Sequence, residues 1–556
     1  MENNNLVLNA QEIACLSPTQ CTTDFSIQLT KAFEKKHNSR SLFPLASEVI
    51  SHFLQLPMPL LFLNTQYWQT ATLTVEQSKP AKLPLLMLQN YDQERLFGRL
   101  NLISEGNVNL KTGEIANLNG GLLVLHISPL LVTPNLWFLL KAFLLTKKAP
   151  LSAAVNGHKL RTAIEQSCTQ LINTKIILVA NRYQLDELTQ IDPDFSQISS
   201  LFAEIAGEIK NNDENIDSLY QYCQQQIRDK ALKPLTLEAY NALFTNLTRL
   251  SDHQKNIHFS PQLIESTLRY AQLMHSQDAT ATNEIDAKHI LKVLALQKSA
   301  QSNAQDFSDQ AIVEQQLKIQ LQGESIGQIN GMSVVELMGY PTEFGEIFRI
   351  SASDMIGDGE IIDVERKVEL AGNVHAKSTL IVQGYLNHFF THVTNFPLSC
   401  NVVFEQSYQE SDGDSAALAI LLAVTSCYSQ RPIMQNLFVT GALDQQGNVL
   451  AIGGLNQKIE AITRLFDLAL LSDPVTVLIP HANKINLLLN KQTLQLIKDK
   501  KINIYPIEHS LQAFPFAMLQ TFESVIERIN KRIHLLHKEE HDESIGLFTK
   551  CLNLLR

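Results

Sequence analysis

The sequence predicts a multidomain chain of mixed class: an α/β module, a helical region, and then an α+β domain. Three observations carry this. Apolar runs of strand length at residues 122–125 and 175–181 alternate with helical stretches, the pattern of a sheet covered by helices. Between residues 235 and 297 apolar residues recur near a period of 3.6, which reads as helix throughout. From residue 323 to 515 strand-like and helix-like segments interleave again. At 556 residues the chain has room for about three or four domains, at roughly 150 residues each.

Composition excludes several classes. The chain is 45% hydrophobic and 18% charged, so folded cores are expected and wholesale disorder is not. A formal net charge of −11 argues against nucleic acid or an anionic membrane as partner. The 7 cysteines are scattered, lack a CxxC pair and form no disulfide or zinc pattern, which fits a reducing cytosol. The 16 histidines show no HExxH. The first residues carry no basic-then-apolar signal, and no apolar run is long enough to span a bilayer. A cytoplasmic location is the expectation.

In chain order, residues 1–95 hold a helical pattern at 39–56 and a strand-like run at 59–64. If a nucleotide-binding domain follows, a phosphate-binding loop belongs after such a strand, where glycine amides wrap phosphates and a lysine reaches the outer ones. The segment Asn64-Thr65-Gln66 supplies neither, and no Gly-Lys pair occurs in the chain. Residues 96–230 read as the α/β core, with Asn119-Gly120-Gly121 leading into the 122–125 strand, a helix over 137–146 and the 175–181 strand ending in Asn181. Residues 231–322 read as a helical lid over 235–250, 261–274 and 287–297, a polar joint at 299–310 and a linker helix over 311–321. Residues 323–515 read as an α+β domain. Its expected strands are 326–337 around an Asn330-Gly331 turn, 348–351, 361–368, 398–406, 437–440, 449–452, 475–480 and 502–505, with helices at 372–390 and 484–498. Residues 516–556 read as a helical tail whose Phe522, Ile526, Ile529 and Ile533 make a stripe suited to an interface or, as is usual at this spacing, to a core or self-packing.

One stretch carries the chemistry. Asp412-Gly413-Asp414-Ser415 precedes an apolar helix pattern over 416–424, and Gly453-Gly454-Leu455-Asn456-Gln457-Lys458 opens another. A serine at a sharp turn before a helix lies beside free amides and the positive helix end, which can hold an oxyanion. Alternatively, Asp414 or Ser415 is an N-cap. On a helical wheel for residues 455–470, Lys458 shares an apolar face with Ile462, Leu465 and Ala469, opposite Glu460, Thr463, Arg464 and Asp467. A lysine so placed snorkels, pairs with a carboxylate, or has its pKa lowered by burial and serves as a base. A serine hydroxyl needs such a base to act as nucleophile.

Phe404-Glu405-Gln406-Ser407-Tyr408, the Asp412–Ser415 run, Val439-Thr440-Gly441, Gly447 and the Gly453–Lys458 run follow one another in an order that resembles the proteolytic domain of Lon proteases, in the branch related to archaeal Lon. Ser415 and Lys458 stand 43 residues apart, which also suits that family. The resemblance implies that Ser415 is the nucleophile, that Lys458 is the base and later the proton donor, and that Thr440 orients the amine. Asp412 matches an acidic position near the pair. By itself, without the resemblance, Thr440 reads simply as a strand-end threonine. The α/β region and lid resemble the AAA+ module of the same branch, and the fold implied is a degenerate AAA+ α/β module with helical lid followed by a Lon-type α+β domain. Where that module would hold its acidic magnesium-binding pair, this chain has His126 and Ile127, and no arginine lies between Arg182 and Arg228 to serve as a finger. Asn181 matches a sensor position, or is simply a turn residue. His375 is a structural turn residue, since Lys458 already fills the base's role.

The function implied is a Ser-Lys endopeptidase acting on unfolded or damaged proteins as a hexameric ring. It needs no cofactor or metal for hydrolysis, and ATP use is doubtful. The competing expectation is a catalytically silent ring that holds unfolded proteins.

Overall fold

A computed structural model describes residues 13–34, 41–104, 107–149, 152–153, 171–280, 282–367, 372–390, 396–406 and 413–554. The chain divides into two bodies. One holds Phe25–Leu247 and Asn256–Val293; the other holds Met1–Asp24, Thr248–Lys255 and Leu294–Arg556.

The first body is built on a parallel sheet of β1 (Leu60–Asn64), β2 (Leu85–Leu88), β3 (Leu122–His126), β4 (Lys175–Ala180) and β5 (Ser200–Glu204), in the order β2-β3-β4-β1-β5. Two of these strands precede residue 96. Strands of Leu, Ile and Val buried on both faces need helices on both sides. Leu60, Phe62, Leu123, Leu125, Ile176 and Leu178 share one core with Trp137 and Leu140 of the helix Pro134–Thr146. Helices Asp213–Asp229, Leu237–Leu250, Pro261–Ser276 and Ala287–Ser299 follow.

The second body has a sheet of β6 (Gln328–Val335), β7 (Phe344–Ile356), β8 (Ile361–Asp363), β9 (Leu398–Phe404), β10 (Leu437–Val439), β11 (Val475–Pro480) and β12 (Ile502–Ile507), ordered β8-β9-β7-β6-β10-β11-β12. Alternate side chains on a strand face opposite ways. Leu437, Val439 and Leu478 join a core with the serine helix (Ala417–Ser429), whereas Phe438, Val477 and Ile479 join one with the lysine helix (Leu455–Asp467). The two helices therefore cover opposite faces. Leu16 and Cys21 also belong to the lysine-helix core, and the Leu16 amide donates to the Ile504 carbonyl at 2.9 Å.

Several expectations are corrected. Asn330-Gly331 is no turn. It lies inside β6 and pairs with Arg349 and Phe348 of β7. Gly331 is small because a Cβ there would stand 2.7 Å from the Phe348 ring, and the Asn330 amide donates to the carbonyls of Gln320 and Gln435. The strand expected over 361–368 stops at Asp363; Val364–Lys367 is a helical turn whose Glu365 carboxylate accepts the Phe404 N–H at 3.1 Å. The linker helix is Asn303–Val313, earlier than 311–321, and covers much of the expected joint. Its polarity does not prevent it, because an Asp309–Arg464 ion pair at 2.9 Å and buried Ile312 hold it. The expected 484–498 helix is two pieces, a 3-10 turn His481–Asn486 and the helix Lys491–Lys498, split where the Asn490 side chain caps the second. His375 lies in the first turn of the helix Asn373–Phe389, buried 3.1 Å from the Asp363 carboxylate, rather than in a turn. The tail helix Phe522–Leu554 buries Phe522, Val525, Ile529 and Ile533 in the serine-helix core, with Ile526 partly buried beside them.

Candidate active site

The serine helix is buried over its whole length, from Ala417 to Ser429. An apolar helix without a polar face has to lie inside the fold, and this anchors the turn before it. Its N-cap is Ala416, with no side-chain cap, so Ser415 is not spent as one. The Gly441 amide donates to the Ser415 carbonyl at 2.8 Å, and Thr440 Oγ1 donates to the same oxygen at 3.2 Å. In return the Leu418 amide donates to the Gly441 carbonyl at 3.1 Å. The Thr440 amide bonds the Leu478 carbonyl, so the threonine is fully buried just past the end of β10.

The lysine helix starts from Gly454, whose φ of 62° is left-handed and whose Cβ would stand 2.3 Å from Val334. A Cβ on Gly345 would stand 2.1 Å from the Gln457 carbonyl. The first turn of the helix thus rests directly on the backbone of β7. β10 ends at Val439, and beyond it the lysine side chain reaches the serine turn from the opposite face. Lys458 Nζ lies 2.9 Å from Ser415 Oγ and 3.3 Å from Thr440 Oγ1. Lys458 is 3% exposed. Burial holds its amine down to about 8, against a smaller opposing pull from Asp414. An amine of that kind is neutral in much of the protein at mildly alkaline pH and can accept a proton from the hydroxyl beside it.

The structure thus brings Ser415, Lys458 and Thr440 together. Asp412 lies outside the described residues. Ala469 lies beyond the end of the lysine helix. On the expected polar face of that helix Glu460 and Thr463 are buried, Glu460 against Arg249 and Thr463 against Thr493, while Asp467 is exposed. Asn456, buried on the same side, was not singled out by periodicity. Its signal was an asparagine spaced four residues from a glutamate in an otherwise packed helix.

In a parallel sheet of this order a ligand crevice is expected at the carboxyl ends of β1, β3 and β4. The polar residues at those ends are engaged within the fold. Asn64 donates to Glu204 at 2.9 Å, and Trp68 stacks edge-on against His126 with ring centroids 5.6 Å apart. Ile127 is fully buried. Asn181 caps the helix Arg182–Ile191, accepting the Gln184 amide at 2.9 Å.

Residues 309–518 match the family model described as Lon protease (S16) C-terminal proteolytic domain, and residues 81–206 match that described as LonB-like, AAA domain. A Haemophilus influenzae protein named "Putative Lon protease homolog" is 34% identical over 427 residues, 76% of this chain and 69% of that protein. The chain belongs to the Lon protease family. The same-named protein of Escherichia coli is 29% identical over 457 residues, 81% of this chain and 76% of its own length. The archaeal Lon protease of Thermococcus kodakarensis is 28% identical over 235 residues, 42% of this chain and 34% of that protein. The two bodies are accordingly an AAA-like module and a Lon-type proteolytic domain.

Proposed function

We propose that this Lon-family chain is a serine endopeptidase that cleaves unfolded or damaged proteins through a Ser415–Lys458 dyad. One observation carries the reading: a lysine amine, 3% exposed, within 2.9 Å of a serine hydroxyl that caps nothing. Neutral Lys458 takes the Ser415 proton as Oγ adds to the peptide carbonyl. Lys458 then gives that proton to the leaving amine, and water attacks the acyl-enzyme with the amine again as base. Thr440 holds the amine toward Oγ. The amides of Ala417 and Leu418 are taken by the carbonyls of Asp414 and Gly441, while those of Ser415 and Ala416 have no partner among the described residues and are free to hold the oxyanion. Asp412 is placed near this pair by the sequence motif alone.

The module does not fit a hydrolysable nucleotide. Only Thr65, Gln66 and Tyr67 join β1 to the helix Trp68–Ser78, with no glycine or lysine to wrap phosphate. His126 and Ile127 offer no carboxylate for magnesium, and Asn181 is engaged as a cap. We therefore assign no ATP hydrolysis to it. A hexameric ring and a cytoplasmic location complete the proposal; no helix among the described residues is long and apolar enough to cross a membrane.

The test is a serine-directed phosphonate, with the adduct mapped by mass spectrometry, beside digestion of an unfolded protein by wild type and Ser415→Ala. Labelling at residue 415 and cleavage lost in the variant are expected. Equal inertness of both proteins would favour the alternative, a silent ring that holds unfolded chains.

A further inference from the structure

Lys458 is gripped from behind. Asn456 and Glu460 are four residues apart on one helix face, and Lys458, two residues from each, points the other way. Asn456 Nδ2 donates to Asp252 Oδ1 at 2.6 Å and to the Asn486 carbonyl at 2.7 Å, while its Oδ1 accepts the Leu488 amide at 2.7 Å. Glu460 pairs with Arg249 at 2.6 Å and accepts the Asn490 amide at 3.1 Å. Lys298 lies 3.8 Å from its second oxygen. Arg249 also donates to the Leu488 carbonyl at 3.2 Å, and Asn486 Nδ2 donates to the Asp252 carbonyl at 2.8 Å.

Arg249, at the end of the helix Leu237–Leu250, and Asp252, in the turn after it, thus hold the lysine helix through residues on either side of Lys458. That turn lies in Thr248–Lys255, which belongs with the proteolytic body although the helix leading into it, Leu237–Leu250, lies mostly in the other. Asp252 is itself held in a left-handed backbone conformation, φ 49°. An aspartate there costs energy and persists only where its surroundings fix it. Asn456 and Asn486 do so.

We propose that Arg249 and Asp252 are positioning residues for the general base: through Glu460 and Asn456 they fix the lysine helix along and about its axis, and so keep Nζ in contact with Ser415 Oγ. The inference rests on the Ser-Lys reading above. Apolar packing tolerates sliding, whereas directed bonds on both sides of Lys458 resist it. The margin is small. A displacement of about 1 Å carries a 2.9 Å contact past the hydrogen-bonding limit, and an error of that size can cost about 100-fold in rate.

The experiment compares wild type, Asp252→Ala and Asp252→Asn for kcat, KM, the pH profile of kcat and the rate of phosphonate labelling at Ser415. The alanine variant is expected to lose about 10- to 100-fold in kcat and in labelling rate, with KM nearly unchanged. Its acid limb should move to higher pH by about one unit, as the loosened amine meets water. Asparagine, whose carbonyl still accepts from Asn456, should recover most of both. If alanine lowers activity only in proportion to unfolded protein, with the limb unmoved, the side chain is merely structural and the inference fails. Should Asp252→Ala not fold, Arg249→Gln is read by the same criteria. The two readings separate cleanly. Wild type unlabelled at Ser415 sinks the dyad itself, while labelled wild type with an alanine variant of equal kcat and limb sinks only the grip.

Discussion

The two bodies place polar residues alike, at or just beyond the carboxyl ends of sheet strands, and use them in opposite ways. In the AAA-like module Asn64 is bonded to Glu204, His126 is stacked on Trp68 and Asn181 caps a helix. Each has a structural partner. In the proteolytic domain the strand β10 stops at Val439, and Thr440, Ser415 and Lys458 meet just beyond it. There, among the described residues, the amine is buried without a carboxylate in contact, which no stability argument favours. A buried charge-bearing group whose only close side-chain partners are hydroxyls marks chemistry, and a polar group with a cap or an ion pair marks architecture.

The largest effect that would break this contrast is at the dyad. Ser415→Ala or Lys458→Met is expected to lower cleavage of an unfolded substrate by about 10,000-fold or more. Changing His126 or Asn181 should leave the same assay near wild type. Steady-state peptide hydrolysis on purified variants of matched oligomeric size measures both arms. Substantial cleavage by Lys458→Met would place the base elsewhere.

The next effect follows from the buried amine. Its pKa is lowered on folding to about 8, so the native state binds fewer protons than the unfolded chain between that value and the ordinary lysine range. The cost of carrying the buried charge is therefore fully present below about pH 8 and gone above about pH 10.5. Relative to Lys458→Met, which has no such titration, wild type should gain about 3 kcal/mol of stability from pH 7 to pH 11. Denaturant melts of the two proteins at both pH values give that difference directly. The same group predicts that kcat/KM rises with pH through about 8, as the amine becomes neutral. A stability gap that stays constant with pH would mean that the amine is not desolvated.

Much of this contrast was legible in the sequence, for reasons that differ by region. Ser415 and Lys458 each stand out because a glycine-flanked turn and an apolar helix face are local patterns, and the resemblance to Lon proteases paired them. What fails is whatever depends on partners distant in sequence. Asn330-Gly331 has the composition of a hairpin turn, yet Gly331 is dictated by the Phe348 ring across the sheet. The polar helix over Asn303–Val313 looked like a joint because its anchor, Arg464, lies 155 residues away. The burial of Glu460 on the lysine helix stays hidden because its partner Arg249, like Asp252 beside Asn456, belongs to an earlier part of the chain. The same limit hid the place of Leu16 and Cys21 in the proteolytic core.

A smaller effect sharpens the role of Thr440. Thr440→Val keeps the shape and removes the hydroxyl that touches both the Ser415 carbonyl and the Lys458 amine. Losing a buried hydrogen bond leaves its partners unsatisfied at about 1–3 kcal/mol. If that loss falls on the arrangement reached during reaction, kcat drops about 10-fold while KM holds. If Thr440 is only a strand-end residue, the melting temperature falls and kcat stays. Measuring both on one preparation decides between them.

The smallest effect tests the other side of the contrast, at Asn181. Its oxygen accepts the Gln184 backbone N–H at 2.9 Å, and the Gln184 side-chain oxygen accepts the Asn181 backbone N–H at 3.0 Å. Replacing a cap of this kind by alanine costs about 1 kcal/mol, and aspartate caps about as well as asparagine. Asn181→Ala should therefore lower stability by about that amount and Asn181→Asp should restore it, with peptide hydrolysis unchanged in both. A residue that senses a nucleotide behaves differently: aspartate would repel phosphate as alanine merely releases it, so neither variant would resemble wild type in nucleotide turnover. Urea melts set beside phosphate release from ATP read the two roles independently. ATP hydrolysis in wild type that Asn181→Asp abolishes would show that the module kept its chemistry and would erase the difference between the two bodies.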